Sequence, residues 1–174
     1  MKKLVVLTAA MLILGIGFSP AVKAQVEEVS IRVDGLSCPF CAYGLEKKLK
    51  KINGVNDVII NIDNGVAKLN GKKDESIVVE GLKDAVVDAG FTPRQITATV
   101  VGVVEEHGNF VVLKNIGSDF MFILKENEQL RELRSKLQDT EKQVRVEGIL
   151  TYVAPKGHDN HPYTLTIERF EVIS

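Results

Sequence analysis

The sequence predicts an α+β fold in two parts, a ferredoxin-like β-α-β-β-α-β domain followed by a small OB-like β-barrel domain. Three observations predict it. Short stretches of period-2 alternation are interleaved with two segments of helical period over residues 29–93. Residues 96–174 then run as three strands, one charged helix and two strands, the chain order of a five-stranded OB barrel. Between the first strand and the first helix lie Cys38 and Cys41, the two cysteines of the chain.

Taken in order, 29–33 is a short strand with apolar Val29, Ile31 and Val33 on one face. Residues 41–52 form a helix whose buried stripe is Ala42, Leu45, Leu49 and Ile52, and Asn53-Gly54 stops it. Strand 58–62 turns at Asp63-Asn64-Gly65 and returns over 66–69, with Asn70-Gly71 after it. A second helix is expected over about 76–89, striped by Val78, Leu82, Ala85, Val86 and Ala89 and capped by Gly90 in the left-handed conformation. Beyond a junction near residue 95, strands are expected at 96–104, 109–114 and 119–124, with turns at Gly108 and Gly117. A helix over 127–138 carries Leu130, Leu133 and Leu137 at helical spacing, and strands 143–153 and 163–173 close the order.

The first 24 residues read as a secretory signal peptide. Lys2 and Lys3 form a basic start, 4–18 is an apolar run, and Val22-Lys23-Ala24 is a small-residue cleavage pattern, so cleavage is expected after Ala24. The run is shorter than the roughly 20 residues of a spanning helix, so no stable membrane insertion follows cleavage. No cysteine lies near the cut to take a lipid. The expected location is periplasmic or secreted. The leader holds three lysines and no acid, so the remaining chain changes from a net charge of −1 to −4. That mildly acidic balance excludes nucleic acid as a partner, since phosphate backbones select basic surfaces.

Two cysteines in an oxidising compartment have three uses, which are a metal site, a redox centre and a structural disulfide. Thiolate is the ligand form of cysteine, and it selects soft ions, copper(I) and mercury(II) foremost, with zinc or cadmium as further options. Two thiolates three residues apart form a near-linear pair around a d10 ion and leave it open to an incoming third thiolate. A closed zinc site takes four ligands, and the chain has two cysteines. If Cys41 begins the helix, the helix dipole lowers its pKa. Gly35 allows a tight turn ahead of the pair, and Ser37 offers a hydroxyl to nearby backbone.

Residues 29–93 resemble the heavy-metal-associated domain of periplasmic mercury-binding proteins, copper chaperones and the N-terminal arms of metal-transporting P-type ATPases. The resemblance is carried by Gly35-Leu36-Ser37-Cys38-Pro39-Phe40-Cys41, Leu45-Glu46-Lys47-Lys48-Leu49, Gly54-Val55-Asn56-Asp57-Val58 and Asp88-Ala89-Gly90-Phe91. The family usually has methionine and threonine where this chain has Leu36 and Ser37. The resemblance implies that Cys38 and Cys41 are metal ligands and that Phe91 lies near them as a shield. It also implies a non-enzymatic carrier whose recipient is a membrane metal transporter or P-type ATPase. Pro39-Phe40 departs from the small pairs of many relatives. A proline there is shared with thiol oxidoreductases, so an envelope thiol–disulfide oxidoreductase is the alternative function.

The remaining motifs have plainer readings. His158 and His161 form a His-x-x-His in the loop 154–162, a second metal site or simply a polar turn. His107 is expected in a hairpin turn. Lys47, Lys48, Lys50 and Lys51 make a solvated helix face, with steering toward an acidic partner as the functional counterpart. Phe110, Phe120, Phe122, Tyr152, Tyr163 and Phe170 are expected to fill the barrel core, and residues 96–174 carry 9 basic against 12 acidic side chains, unlike a base-stacking barrel. That module is expected to dock a partner or orient the metal site.

Overall fold

The computed structural model describes residues 25–114, 120–137, 142–153 and 163–173. The signal peptide, the Gly117 turn and the His158–His161 loop lie outside the described residues. Among the described residues, no helix is long and apolar enough to cross a membrane.

The chain forms strands β1 (Gln25–Asp34), β2 (Val55–Asn61), β3 (Val66–Gly71), β4 (Thr92–His107), β5 (Phe110–Lys114), β6 (Met121–Leu124), β7 (Gln143–Tyr152) and β8 (Tyr163–Val172). Helix α1 (Pro39–Leu49) follows β1, α2 (Leu82–Asp88) precedes β4, and α3 (Glu128–Leu137) lies between β6 and β7. The first half has the strand order β2-β3-β1-β4, all antiparallel. This is the order of a split βαβ unit. Its helices cover one face, where Ala42, Leu45 and Leu49 of α1 and Leu82 and Val86 of α2 are buried.

The sequence suggests two strands on either side of residue 95, one ending the first unit and one beginning the second. They are a single strand. β4 pairs with β1 from Thr92 to Val101 and then with β5 from Val103 to His107. On its other edge it pairs with β7 from Ile96 to Val103. β5 pairs with β6, β6 runs parallel to β8, and β8 pairs with β7. The pairings therefore return to the strand they left. β4 serves both halves because it is long enough to offer different stretches to different neighbours. A single cluster of buried side chains runs from Val26 and Leu45 in the first half to Phe122, Leu133 and Ile167 in the second. Above the sheet, Arg145 of β7 reaches past β4 to Glu27 of β1 at 3.0 Å.

Helix α3 matches its expected stripe, with Leu130, Leu133 and Leu137 buried. Asn127 caps it, accepting a 2.9 Å bond from the Leu130 N–H while its amide donates to the Ile167 carbonyl at 2.7 Å. Helix α2 departs from expectation by starting at Leu82 instead of about residue 76. The Ile77 N–H bonds the Val26 carbonyl at 3.1 Å and the Val78 N–H bonds the Asn53 carbonyl at 3.0 Å. Those bonds spread the β-branched run Ile77-Val78-Val79 into extended chain, burying Ile77 and Val79 and leaving Val78 exposed. The aromatic expectation also needs correction. Phe122 and Tyr163 are buried, and Phe120 and Phe170 pack partly against the core. Phe110, beside the β4–β5 turn, and Tyr152, at the end of β7, are exposed instead. His107 ends β4, paired across the hairpin with Phe110.

Candidate metal site

The Cys38–Cys41 loop leaves the end of β1 and is tied down on both sides. Ahead of it, the Val33 N–H bonds the Gly65 carbonyl at 2.7 Å, and Asp34 pairs with Arg94 of β4 at 2.6 Å. Gly35 turns with φ +88°, a conformation that a side chain disfavours, and the Ser37 N–H closes the turn on the Gly35 carbonyl at 3.0 Å. Leu36 anchors the loop in the core at 5% exposure. Phe91 packs from below, since a Cβ on Gly35 would lie 3.7 Å from its ring. Its backbone N–H, just past the left-handed Gly90, bonds back to the Val86 carbonyl of α2.

The helix begins earlier than the sequence suggests, and this changes which sulfur it serves. Cys38 is the N-cap, in extended conformation, and Pro39 opens the helix. Proline suits that position because its missing N–H has no partner to lose there. The Ala42 N–H bonds the Cys38 carbonyl at 3.0 Å as the first helical bond. Cys41 is the third residue of the helix, within its first turn, instead of its first residue. No side-chain cap bond closes on Cys38. Even so, the Cys41 N–H, the Cys41 thiol and the Phe40 N–H, in that order, favour its anion and hold its pKa below the ordinary thiol value. Cys41 moves the other way. Its thiol shares its hydrogen bond with the Cys38 sulfur, and desolvation and the Cys38 charge push its pKa up further. The sequence tied an acidified Cys41 to a helix beginning at that residue; the helix begins at Pro39, and the Cys41 pKa is raised by its sulfur neighbour. The two thiols thus shift in opposite directions, Cys38 toward the anion and Cys41 toward the protonated form.

Both thiols are free, Cys38 half-buried and Cys41 exposed. Among the described residues, no cluster of three or more His, Cys, Asp or Glu side chains is placed to hold a metal. The donor set at this loop is thus two sulfurs, suited to a soft ion of low coordination number. Around it, Phe40 is 88% exposed and Tyr43 56% exposed, with the Lys47 ammonium 4.5 Å from the Tyr43 ring centre. Tyr43 escaped attention in the sequence because it lies off the apolar stripe. Its spacing from Phe40 and Lys47 was the signal that would have found it.

The heavy-metal-associated domain model matches residues 30–92. The copper chaperone CopZ of Staphylococcus epidermidis is 31% identical over 61 residues, covering 35% of this chain and 88% of the relative. The chain belongs to the heavy-metal-associated domain family. Among solved structures, a CopZ metallochaperone has 28% identity and a TM-score of 0.35, covering 38% of this chain and 98% of its own. A copper-binding domain of a P-type ATPase has 24% identity and a TM-score of 0.35, covering 39% and 90%. The family match ends at residue 92, where β4 begins.

Proposed function

We propose that the chain is a non-enzymatic carrier that holds one soft metal ion, copper(I) foremost, between Cys38 and Cys41 and passes it on by thiolate exchange. The observation that carries this is the pair of free thiols of unequal acidity at the start of α1, inside a family-matched domain. Cys38 meets the ion as a thiolate, and Cys41 follows as its shared proton leaves. An incoming acceptor thiolate then adds to the metal as a third ligand. One cysteine sulfur departs and takes up a proton, so the metal changes hands without a change of oxidation state.

The chain would act in the periplasm or outside the cell after loss of residues 1–24, and the acceptor would be a membrane metal transporter or P-type ATPase. Residues 25–95 form the metal-carrying module. Residues 96–174 form an OB-like barrel, a reading supported by the returning pairings β4-β5-β6-β8-β7-β4 with α3 between β6 and β7. The barrel would dock a partner or orient the site, because it shares a strand and a core with the carrier module.

The test is anaerobic titration of the reduced 25–174 chain with copper(I), mercury(II), zinc(II) and cadmium(II) against a competing chelator. One equivalent of copper(I) or mercury(II) is expected to be retained, and Cys38→Ser and Cys41→Ser are each expected to lose it. Failure to retain any of these ions, combined with metal-independent reduction of insulin, would establish the thiol–disulfide oxidoreductase instead.

A further inference from the structure

Where the two halves meet, the fold leaves a cavity of about 350 Å³ that the metal site does not use. Its floor is apolar and buried, made of Val79 ahead of α2, Ile96 of β4 and Leu150 of β7. Tyr152 and Tyr163 wall it, paired across β7 and β8 with their ring centres 5.5 Å apart. Lys83 and Asp84, both exposed on the first turn of α2, stand at its rim. Gly81 lines the mouth, where a Cβ would meet nothing within 4 Å. A cavity of this size, apolar below with a few charged groups above and set between two packed units, has the usual form of a small-molecule site.

The polar groups set the chemistry of what would fill it. Lys83 and Asp84 carry opposite charges on consecutive residues, and they pair neither with each other nor with another described residue. Tyr163 is 9% exposed, and burial first, then the charges of Glu80, Tyr152 and Asp84, push its pKa up. It is therefore a neutral phenol around pH 7, able to donate its proton to an oxygen. Tyr152 is half exposed, so the core does not require its ring. A simple organic cation in this cavity would face the Lys83 ammonium, and a simple anion would face the carboxylates of Asp84 and Glu80. A molecule carrying both charges meets a partner for each.

We propose that this cavity is a binding site for a small zwitterion with an apolar body, the chemistry of a free hydrophobic α-amino acid. The ligand ammonium lies against Asp84, and its carboxylate lies against Lys83 and accepts from the Tyr163 hydroxyl. Its side chain rests on Val79, Ile96 and Leu150, with the Tyr152 ring over it. The site draws on both halves of the fold. Residues 79–84 come from the carrier module, Leu150, Tyr152 and Tyr163 from the second half, and Ile96 from the strand they share. It uses neither Cys38 nor Cys41, so it does not depend on the carrier function.

The experiment titrates the full 25–174 chain with L-leucine and L-phenylalanine by calorimetry, and follows leucine by tyrosine emission as well. The chain has no tryptophan and three tyrosines, of which Tyr152 and Tyr163 wall the cavity, and Tyr43→Phe removes the third from the signal. Saturable binding of one equivalent is expected, with an emission change that survives Tyr43→Phe. Isopentylamine, which lacks the carboxylate, and 4-methylpentanoate, which lacks the ammonium, should each bind at least tenfold more weakly than leucine, the scale of one charge-assisted hydrogen bond. Asp84→Asn should weaken leucine at least tenfold without weakening 4-methylpentanoate, and Lys83→Gln should weaken leucine without weakening isopentylamine. Both positions are exposed, and an unchanged urea midpoint shows that the variants fold. Binding of neither amino acid overturns the proposal. Isopentylamine or 4-methylpentanoate binding as tightly as leucine also overturns it, in favour of a site for a simple cation or anion. Leucine binding untouched by both variants overturns it by placing the ligand elsewhere. Copper(I) retention is expected to be the same in both variants as in wild type, so failure of this site leaves the carrier function standing.

Discussion

Gly54→Ala tests how the end of α1 is held to the rest of the fold. Gly54 has φ +82°, and a Cβ placed on it would stand 2.0 Å from the Ser76 carbonyl oxygen and 2.9 Å from the Ile77 Cα. The left-handed conformation alone costs a residue with a side chain roughly 1–2 kcal/mol. Relieving the overlap requires the 76–77 backbone to retreat, because the obstructing atoms are main chain. That segment is fixed by the Val26 N–H to Ser76 Oγ bond at 3.0 Å, the Ile77 N–H to Val26 carbonyl bond at 3.1 Å and the Val78 N–H to Asn53 carbonyl bond at 3.0 Å. Loss of two such bonds adds about 1–3 kcal/mol. The sum is about 2–5 kcal/mol, a large part of the roughly 5–15 kcal/mol that holds a domain folded. Gly81→Ala is the matched control, since φ there is +78° but a Cβ would meet nothing within 4 Å. It is expected to lose only the roughly 1–2 kcal/mol of backbone strain. Urea unfolding followed by circular dichroism measures both. Because one buried cluster joins the two halves, each melt is expected to be a single transition. Equal losses in the two variants would refute the reasoning from the overlap.

Three further outcomes are expected. Leu133 is fully buried in the second half, so Leu133→Ala should cost about 2–5 kcal/mol in the same urea assay, while copper(I) affinity at the distant Cys38–Cys41 loop stays unchanged once the chain is folded. Because the Cys38 pKa is lowered and the Cys41 pKa raised, proton release on metal binding should fall in steps as pH rises. Two protons leave per metal below the Cys38 value, one between the two values and none above the Cys41 value, so affinity climbs with pH up to the Cys41 value. Calorimetric titration in buffers of different ionisation heat measures this. Mass spectrometry of partly alkylated protein should find Cys38 labelled before Cys41 at neutral pH.

Much of the architecture was legible because local pattern carries it. The Ala42-Leu45-Leu49 and Leu130-Leu133-Leu137 stripes are buried as their spacing required, and the order of strands and helices follows the alternation of periods. The cysteine pair was likewise visible as residue types at a fixed spacing between a strand and a helix. Propensity misled where distant backbone claimed the chain. Residues 77–79 look helical by spacing, but partners at Val26 and Asn53 take their N–H groups.

Sequence alone thus determined most of the element order, the apolar stripes of α1 and α3 and the two sulfurs, since each depends on neighbours a few residues away. Tertiary structure decided that β4 serves both halves, because strand pairing depends on which edges meet and no local signal records that. It also decided the acidity order of the thiols. That order comes from the Cys41 and Phe40 N–H groups that favour the Cys38 anion and from the hydrogen bond the two thiols share, contacts that belong to a helix starting at Pro39.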